Sequence, residues 1–171
     1  MRALVVYESM FGNTRDVAYA VAEGLRRHMD VDVVEVGAAP TVLGEDVALL
    51  VVGAPTHAFG LSRRETRGQA AVHTGRTPIS EDFGVRDWLG QITRPGDVAA
   101  ATFDTRVDRP RVPGSAARKA ERALRRQGFR IVAPAESFRV HGIEGPLLEG
   151  ESDHARRWGE EVAARVAEPV G

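Results

Sequence analysis

Between Ser9 and Thr14 the chain reads Ser-Met-Phe-Gly-Asn-Thr, placing two hydroxyls, a side-chain amide and a glycine in one short loop. Hydroxyls donate hydrogen bonds, and glycine lets a ligand approach the backbone closely. If a helix begins at this point, the unpaired N–H groups of its first turn open into the same space, and its dipole favours negative charge there. Together these groups form a cradle for an anion, and a phosphate monoester suits it without any lysine. The plainer reading is that Asn13 or Thr14 merely caps the helix.

The flanking patterns say what holds this loop. Upstream, Ala3 to Tyr7 is a continuous, valine-rich apolar run, too short for a helix and fit for a strand buried on both faces. Downstream, Val17, Val21 and Leu25 recur at helical spacing beside Ala18 and Ala22. The loop therefore joins a strand to a helix. Further strands are predicted at Val31 to Val36, Val47 to Gly53, Asp97 to Phe103 and Phe129 to Val132, the last resuming at Glu136 to Val140. Helices are predicted around Val85 to Ile92, between Ser115 and Gly128, and along Ala155 to Val166. Only Pro40 to Glu45 is available for the crossover between the second and third strands, so a very short helix or turn is expected there. Alternating apolar strands and crossovers predict an α/β chain with a parallel sheet covered on both faces, whose ligands lie beyond the carboxyl ends of the strands.

Composition narrows the classes. The 171 residues suit one domain, read as 1–171, and contain no cysteine, which excludes disulfides and thiolate-held metals and fits a cytoplasmic location. A net charge of -1 gives no general pull toward nucleic acid, and no apolar run approaches membrane-span length. No dinucleotide glycine motif, Walker lysine or nucleophile elbow occurs, and the five histidines are scattered without metal-ligand spacing. No metal site and no catalytic residue is assigned.

The run Val5-Val6-Tyr7-Glu8-Ser9-Met10-Phe11-Gly12-Asn13-Thr14 resembles the phosphate loop of flavodoxins and of the flavodoxin-like domains of flavodiiron proteins. The resemblance implies a three-layer, doubly wound domain with a five-stranded parallel sheet in the order 2-1-3-4-5, and FMN as cofactor. Ser9 and Thr14, with the backbone of Met10, Phe11, Gly12 and Asn13, would then hold the FMN 5'-phosphate. The loop Pro55-Thr56-His57-Ala58-Phe59-Gly60 would cover one face of the flavin ring, and Phe103-Asp104-Thr105-Arg106 would lie on the other side. A receiver domain of similar strand order would need clustered acidic residues after the first strand, where this chain has Glu8 alone.

The chain departs from that pattern in three ways. Phe11 stands at the family's middle hydroxyl position, and the usual tryptophan and tyrosine sandwich is replaced by His57, Phe59 and Phe103. Arginines follow the ring loops, at Arg63, Arg64 and Arg67 and again at Arg106, Arg109 and Arg111. Either they are a solvated surface, or they face the flavin, raise its reduction potential and draw an acidic redox partner. Residues 61–84 read as an insertion, opened by a capping box at Ser62-Arg63-Arg64-Glu65. The function expected is electron transfer through FMN to a partner protein, without nucleic acid or membrane. The alternatives are an FMN-dependent NAD(P)H oxidoreductase acting on a quinone-like acceptor, and a flavodoxin-fold binding protein with weak or lost FMN.

Overall fold

The structure, a computed structural model, describes residues 1–57, 59–94 and 96–168. Its strands are β1 (Arg2–Tyr7), β2 (Asp30–Glu35), β3 (Val47–Pro55), β4 (Ala99–Val107), β5 (Arg130–Ile131) and β6 (Glu136–Val140). Its helices are α1 (Asn13–Leu25), α2 (Arg64–Thr74), α3 (Val85–Leu89), α4 (Ala116–Arg126) and α5 (Glu151–Ala167). All strand pairs are parallel, in the order β2-β1-β3-β4-β5. β6 continues the β5 edge farther along β4, pairing Phe103 with Glu136 through Val107 with Val140. The fifth strand position is thus filled in two pieces.

Strand alternation distributes the core between two faces. Ala3, Val5, Leu49, Val51 and Ala101 point to the layer of α1 and α5, where Val17, Val21, Leu25, Trp158 and Val162 meet them. Leu4, Val6, Leu50 and Val52 point to the opposite layer, against Trp88, Leu89, Ala120 and Leu124 of α3 and α4. Both faces are covered, which is why the strands read as continuous apolar runs.

Gly53 is the tightest point of this packing. A Cβ there would overlap the ring of Phe103, which is fully buried. That ring packs edge-on against Phe138 and Trp158, with centroids 5.9 and 6.0 Å away. Gly53→Ala should therefore destabilise the fold by about 1–3 kcal/mol through overpacking. Urea unfolding checks this, and adding Phe103→Leu should recover part of the loss.

Two boundaries differ from expectation. The β2 to β3 crossover places its 3-10 turn at Val36–Ala38, before Pro40, because the Glu35 carboxylate accepts from the Gly37 amide at 2.7 Å. β4 starts at Ala99 and runs to Val107, four residues beyond Phe103. Its polar residues Asp104 and Thr105 stay in the ladder with β6.

Candidate functional site

The loop after β1 turns sharply at Gly12, whose φ of 100° lies in the left-handed region that glycine adopts without strain. The Gly12 amide donates to Ser9 Oγ at 3.0 Å, closing the turn while leaving the Ser9 hydroxyl proton free. Asp16 N is the first helical donor to reach back, bonding Gly12 O at 2.9 Å. Among the described residues, the backbone N–H groups of Met10, Phe11, Asn13 and Thr14 donate to no protein acceptor. These residues line a cavity of about 980 Å³.

The opposite wall comes from the ends of β3 and β4. Thr56 N donates to Thr105 O at 3.0 Å, and Thr105 Oγ1 lies 2.7 Å from Thr14 Oγ1, so the two loops meet through a hydroxyl pair. One proton lies between those oxygens and the other remains available to a ligand. Asp104 anchors this wall from behind. Its Oδ2 accepts from Ser115 Oγ at 2.6 Å, Ala117 N at 3.1 Å and Thr56 Oγ1 at 3.2 Å. Its Oδ1 is buried with no hydrogen-bond partner among the described residues.

His57 lines the cavity with a defined tautomer. Thr66 Oγ1 donates to Arg63 O at 2.9 Å and accepts from Arg63 N at 2.8 Å. Its contact with His57 Nδ1, at 3.4 Å, therefore has the imidazole as donor, which makes Nε2 an acceptor. Burial, then the charge of Arg67, pushes the His57 pKa down from 6.5 to about 4. The ring is neutral at pH 7. Between these two values the unfolded chain binds more proton than the folded one, so stability falls as pH drops from 6.5 toward 4. Glu8, held above its usual range chiefly by burial, acts in the opposite sense as its own window is crossed. Urea unfolding at pH 7 and pH 4.5 should show wild type losing about 2 kcal/mol more than His57→Gln.

A third wall was not legible as such in the sequence. Along α2, Glu65, Gln69, Val72 and His73 face the cavity, while Val107, Val140 and Ile143 close the end beyond β4 and β6. The helix begins one residue later than the Ser62 capping box implied: Arg63 is the N-cap, and its amide is satisfied by the Thr66 hydroxyl. Ser62 instead donates to Glu8 Oε2 at 2.5 Å and accepts from Arg67 Nη1 at 2.9 Å, both inside the protein.

The family model described as Flavodoxin matches residues 5–76, a span that begins in β1 and ends just after α2. Over the full chain, the similar solved structures include a flavodoxin from the domain Archaea, at 18% identity and TM-score 0.67, covering 98% of this chain and 100% of that one. Flavodoxin 1 from Bacillus cereus matches at 16% identity and TM-score 0.67, covering 100% of both chains. The chain is flavodoxin-like in fold. The Flv1 flavodiiron core from Synechocystis sp. PCC6803 also matches, at 16% identity and TM-score 0.62, and here the chain spans 36% of the longer protein. No curated protein sequence matches.

Within this flavodoxin fold the expected site residues separate into groups. Ser9, Met10, Phe11, Asn13 and Thr14 line the cavity, as do Pro55, Thr56, His57 and Thr105. Gly12 shapes the loop from behind. Ala58 lies outside the described residues. Phe103 does not reach the ring side, because Gly53 leaves room for its ring in the core. Asp104 holds the N-terminus of α4, and Arg106 donates to Val112 O at 2.9 Å away from the cavity. Gly60 is buried against the Lys119 side chain. Phe59 has a φ of 72° and is 57% exposed, outside the cavity wall.

Arg63, Arg64, Arg109 and Arg111 are exposed, as the solvated reading expects, whereas Arg67 is enclosed. None of Arg63, Arg64, Arg67, Arg106, Arg109 and Arg111 lines the cavity. Arg67 is 1% exposed inside the protein, and Arg109 and Arg111 pair with Asp108 at 3.8 and 3.2 Å. Among the described residues, the carboxylate that lines the cavity is Glu65. No helix among the described residues is long and apolar enough to cross a membrane.

Proposed function

We propose that the chain binds FMN, with the phosphate on the loop from Ser9 to Thr14, and passes electrons through the flavin to a partner protein. The observation that carries this reading is the set of unpartnered N–H groups at Met10, Phe11, Asn13 and Thr14, opening onto a cavity of about 980 Å³. Oriented N–H donors at a helix N-terminus fit a phosphate dianion. Once bound, the flavin supplies one- and two-electron redox chemistry. The Ser9 and Thr14 hydroxyls add donors to the phosphate, and Pro55 to His57 with Thr105 support the remainder of the cofactor. His57 offers a neutral acceptor to a ring N–H. α2 limits water on the third side. Val72 and Ile143, 86% and 52% exposed, give the mouth an apolar rim suited to a docking protein.

One observation favours a second reading. FMN, with about 31 non-hydrogen atoms, fills on the order of 500 Å³ at protein packing density, which leaves space along α2 for a small acceptor. The chain would then act as an FMN-dependent oxidoreductase. The test is NAD(P)H oxidation by the FMN-loaded chain with a quinone acceptor and no added reductase. An electron carrier gives no turnover until a separate reductase is added. Turnover by the chain alone would favour the enzyme reading.

A further inference from the structure

Phe11 removes a hydroxyl from the phosphate loop, and the fold brings a cation to the same place. Arg76 follows Gly75, which ends α2 with a φ of 70°. Its guanidinium carbon stands 5.1 Å from the centroid of the Phe11 ring, within cation–π range. Its Nη1 lies 3.7 Å from Glu144 Oε1, and the backbone carbonyl of Glu144 accepts from the Asn13 side-chain amide at 2.9 Å. Immediately downstream, Ile79 N and Ser80 N donate to Met10 O and Ser9 O, each at 2.9 Å. The chain after α2 and the chain after β6 thus both bond to the loop, and Arg76, over the Phe11 ring, reaches Glu144 between them.

The neighbouring cation, Arg15, is placed differently. Its guanidinium lies against Gly12, and its Nε is 3.7 Å from the Asp16 carboxylate. Arg76 stands over Phe11, a residue that lines the cavity. Its pair with Glu144 is long, and both side chains are about half exposed, at 53% and 46%. Such a pair contributes little and exchanges readily for a stronger partner. A phosphate dianion, which takes charge-assisted hydrogen bonds from a guanidinium, is such a partner.

Resting on the phosphate-loop reading above, we propose that Arg76, seated on the Phe11 ring, leaves Glu144 to pair with the phosphate of the bound flavin nucleotide, replacing the hydroxyl that Phe11 displaced. Discrimination between FMN and riboflavin then depends partly on one arginine outside the loop. It also depends on salt.

The test titrates the apo chain with FMN and with riboflavin in wild type, Arg76→Met and Glu144→Gln. Arg76→Met should weaken FMN binding about tenfold, equivalent to one charge-assisted contact, and leave riboflavin unchanged. Glu144→Gln removes the competing carboxylate while keeping the backbone carbonyl that holds Asn13, and should tighten FMN binding by about two- to fivefold. Raising the salt should weaken FMN binding more in wild type than in Arg76→Met. An unchanged FMN to riboflavin ratio in Arg76→Met, an equal loss for both ligands, or weaker FMN binding in Glu144→Gln would each overturn the proposal while leaving the phosphate loop standing. A wild type with no preference for FMN over riboflavin would overturn both.

Discussion

Thr14→Ala should weaken FMN binding about 10- to 100-fold, the loss of one charge-assisted hydrogen bond of roughly 1.5–3 kcal/mol. The Thr14 hydroxyl is nearly buried, lines the cavity and lies 2.7 Å from the Thr105 hydroxyl. With Thr105 donating to Thr14, the Thr14 proton is free for the phosphate, and the partner wall positions it in advance. Alanine removes that donor and leaves the Thr105 hydroxyl without its partner. The Met10, Phe11 and Asn13 amides survive the change, so binding weakens without vanishing. Riboflavin, lacking the phosphate, should bind both proteins equally within about twofold, and Thr14→Ser should keep most of the FMN affinity. Fluorescence-quenching titrations of the four combinations measure this. Equal FMN affinity in Thr14→Ala would place the phosphate elsewhere.

Arg67→Met should cost about 3–5 kcal/mol of stability, the usual result of breaking a buried charged network by removing one partner. Arg67 is the buried residue of α2. Its Nε donates to Glu81 O at 3.0 Å, and its Nη1 donates to Ser62 Oγ at 2.9 Å. Its Nη2 lies 3.6 Å from the Asp87 carboxylate. Ser62 passes the connection to Glu8, whose other oxygen accepts from Val85 N at 2.8 Å. Methionine matches the size of the arginine stem but leaves Glu81 O unpaired and removes the cation that favours charged Glu8. Urea unfolding measures the loss. Adding Glu8→Gln, which makes the carboxyl site neutral, should restore part of it. Since α2 has no other buried side chain, trypsin should also cut Arg67→Met faster at Arg63 and Arg64. An unchanged midpoint would mean that α2 is held by its connections alone.

The fold was legible because both sheet faces are covered: residues such as Leu4 and Val5 point to opposite layers yet are equally apolar, so β1 and β3 read as unbroken runs. The carboxyl end of β4 was less legible. Asp104 and Thr105 interrupt the apolar pattern, although their backbones remain paired with β6. The first loop could be read because its chemistry is local: Gly12 makes the turn and the helix start supplies the donors. What the sequence could not convey depends on long-range placement. The resemblance places Phe103 in the loop beside the flavin ring, but the missing side chain at Gly53 gives its ring a place in the core. Arg67 reads in the sequence as either solvated or flavin-facing, and neither reading reveals the buried contacts it makes with Ser62 and, through it, Glu8. The α2 wall presents Glu65, Gln69 and His73 to an open cavity, a pattern that matches any solvent-facing helix. Glu8, acidic at the end of an apolar strand, is buried in the structure and accepts from Ser62, which in turn bonds Arg67 of α2.

The most direct test of the central claim is titration of the apo chain with FMN and riboflavin, followed by the visible flavin spectrum. With at least three charge-assisted contacts to the phosphate, FMN should bind about a thousandfold more tightly than riboflavin and yield a stable yellow complex. Equal affinities would contradict the assignment of the loop from Ser9 to Thr14 as a phosphate site. Absence of FMN binding at micromolar concentration would contradict the electron-transfer reading itself, leaving a flavodoxin-like fold that acts by binding something other than a flavin.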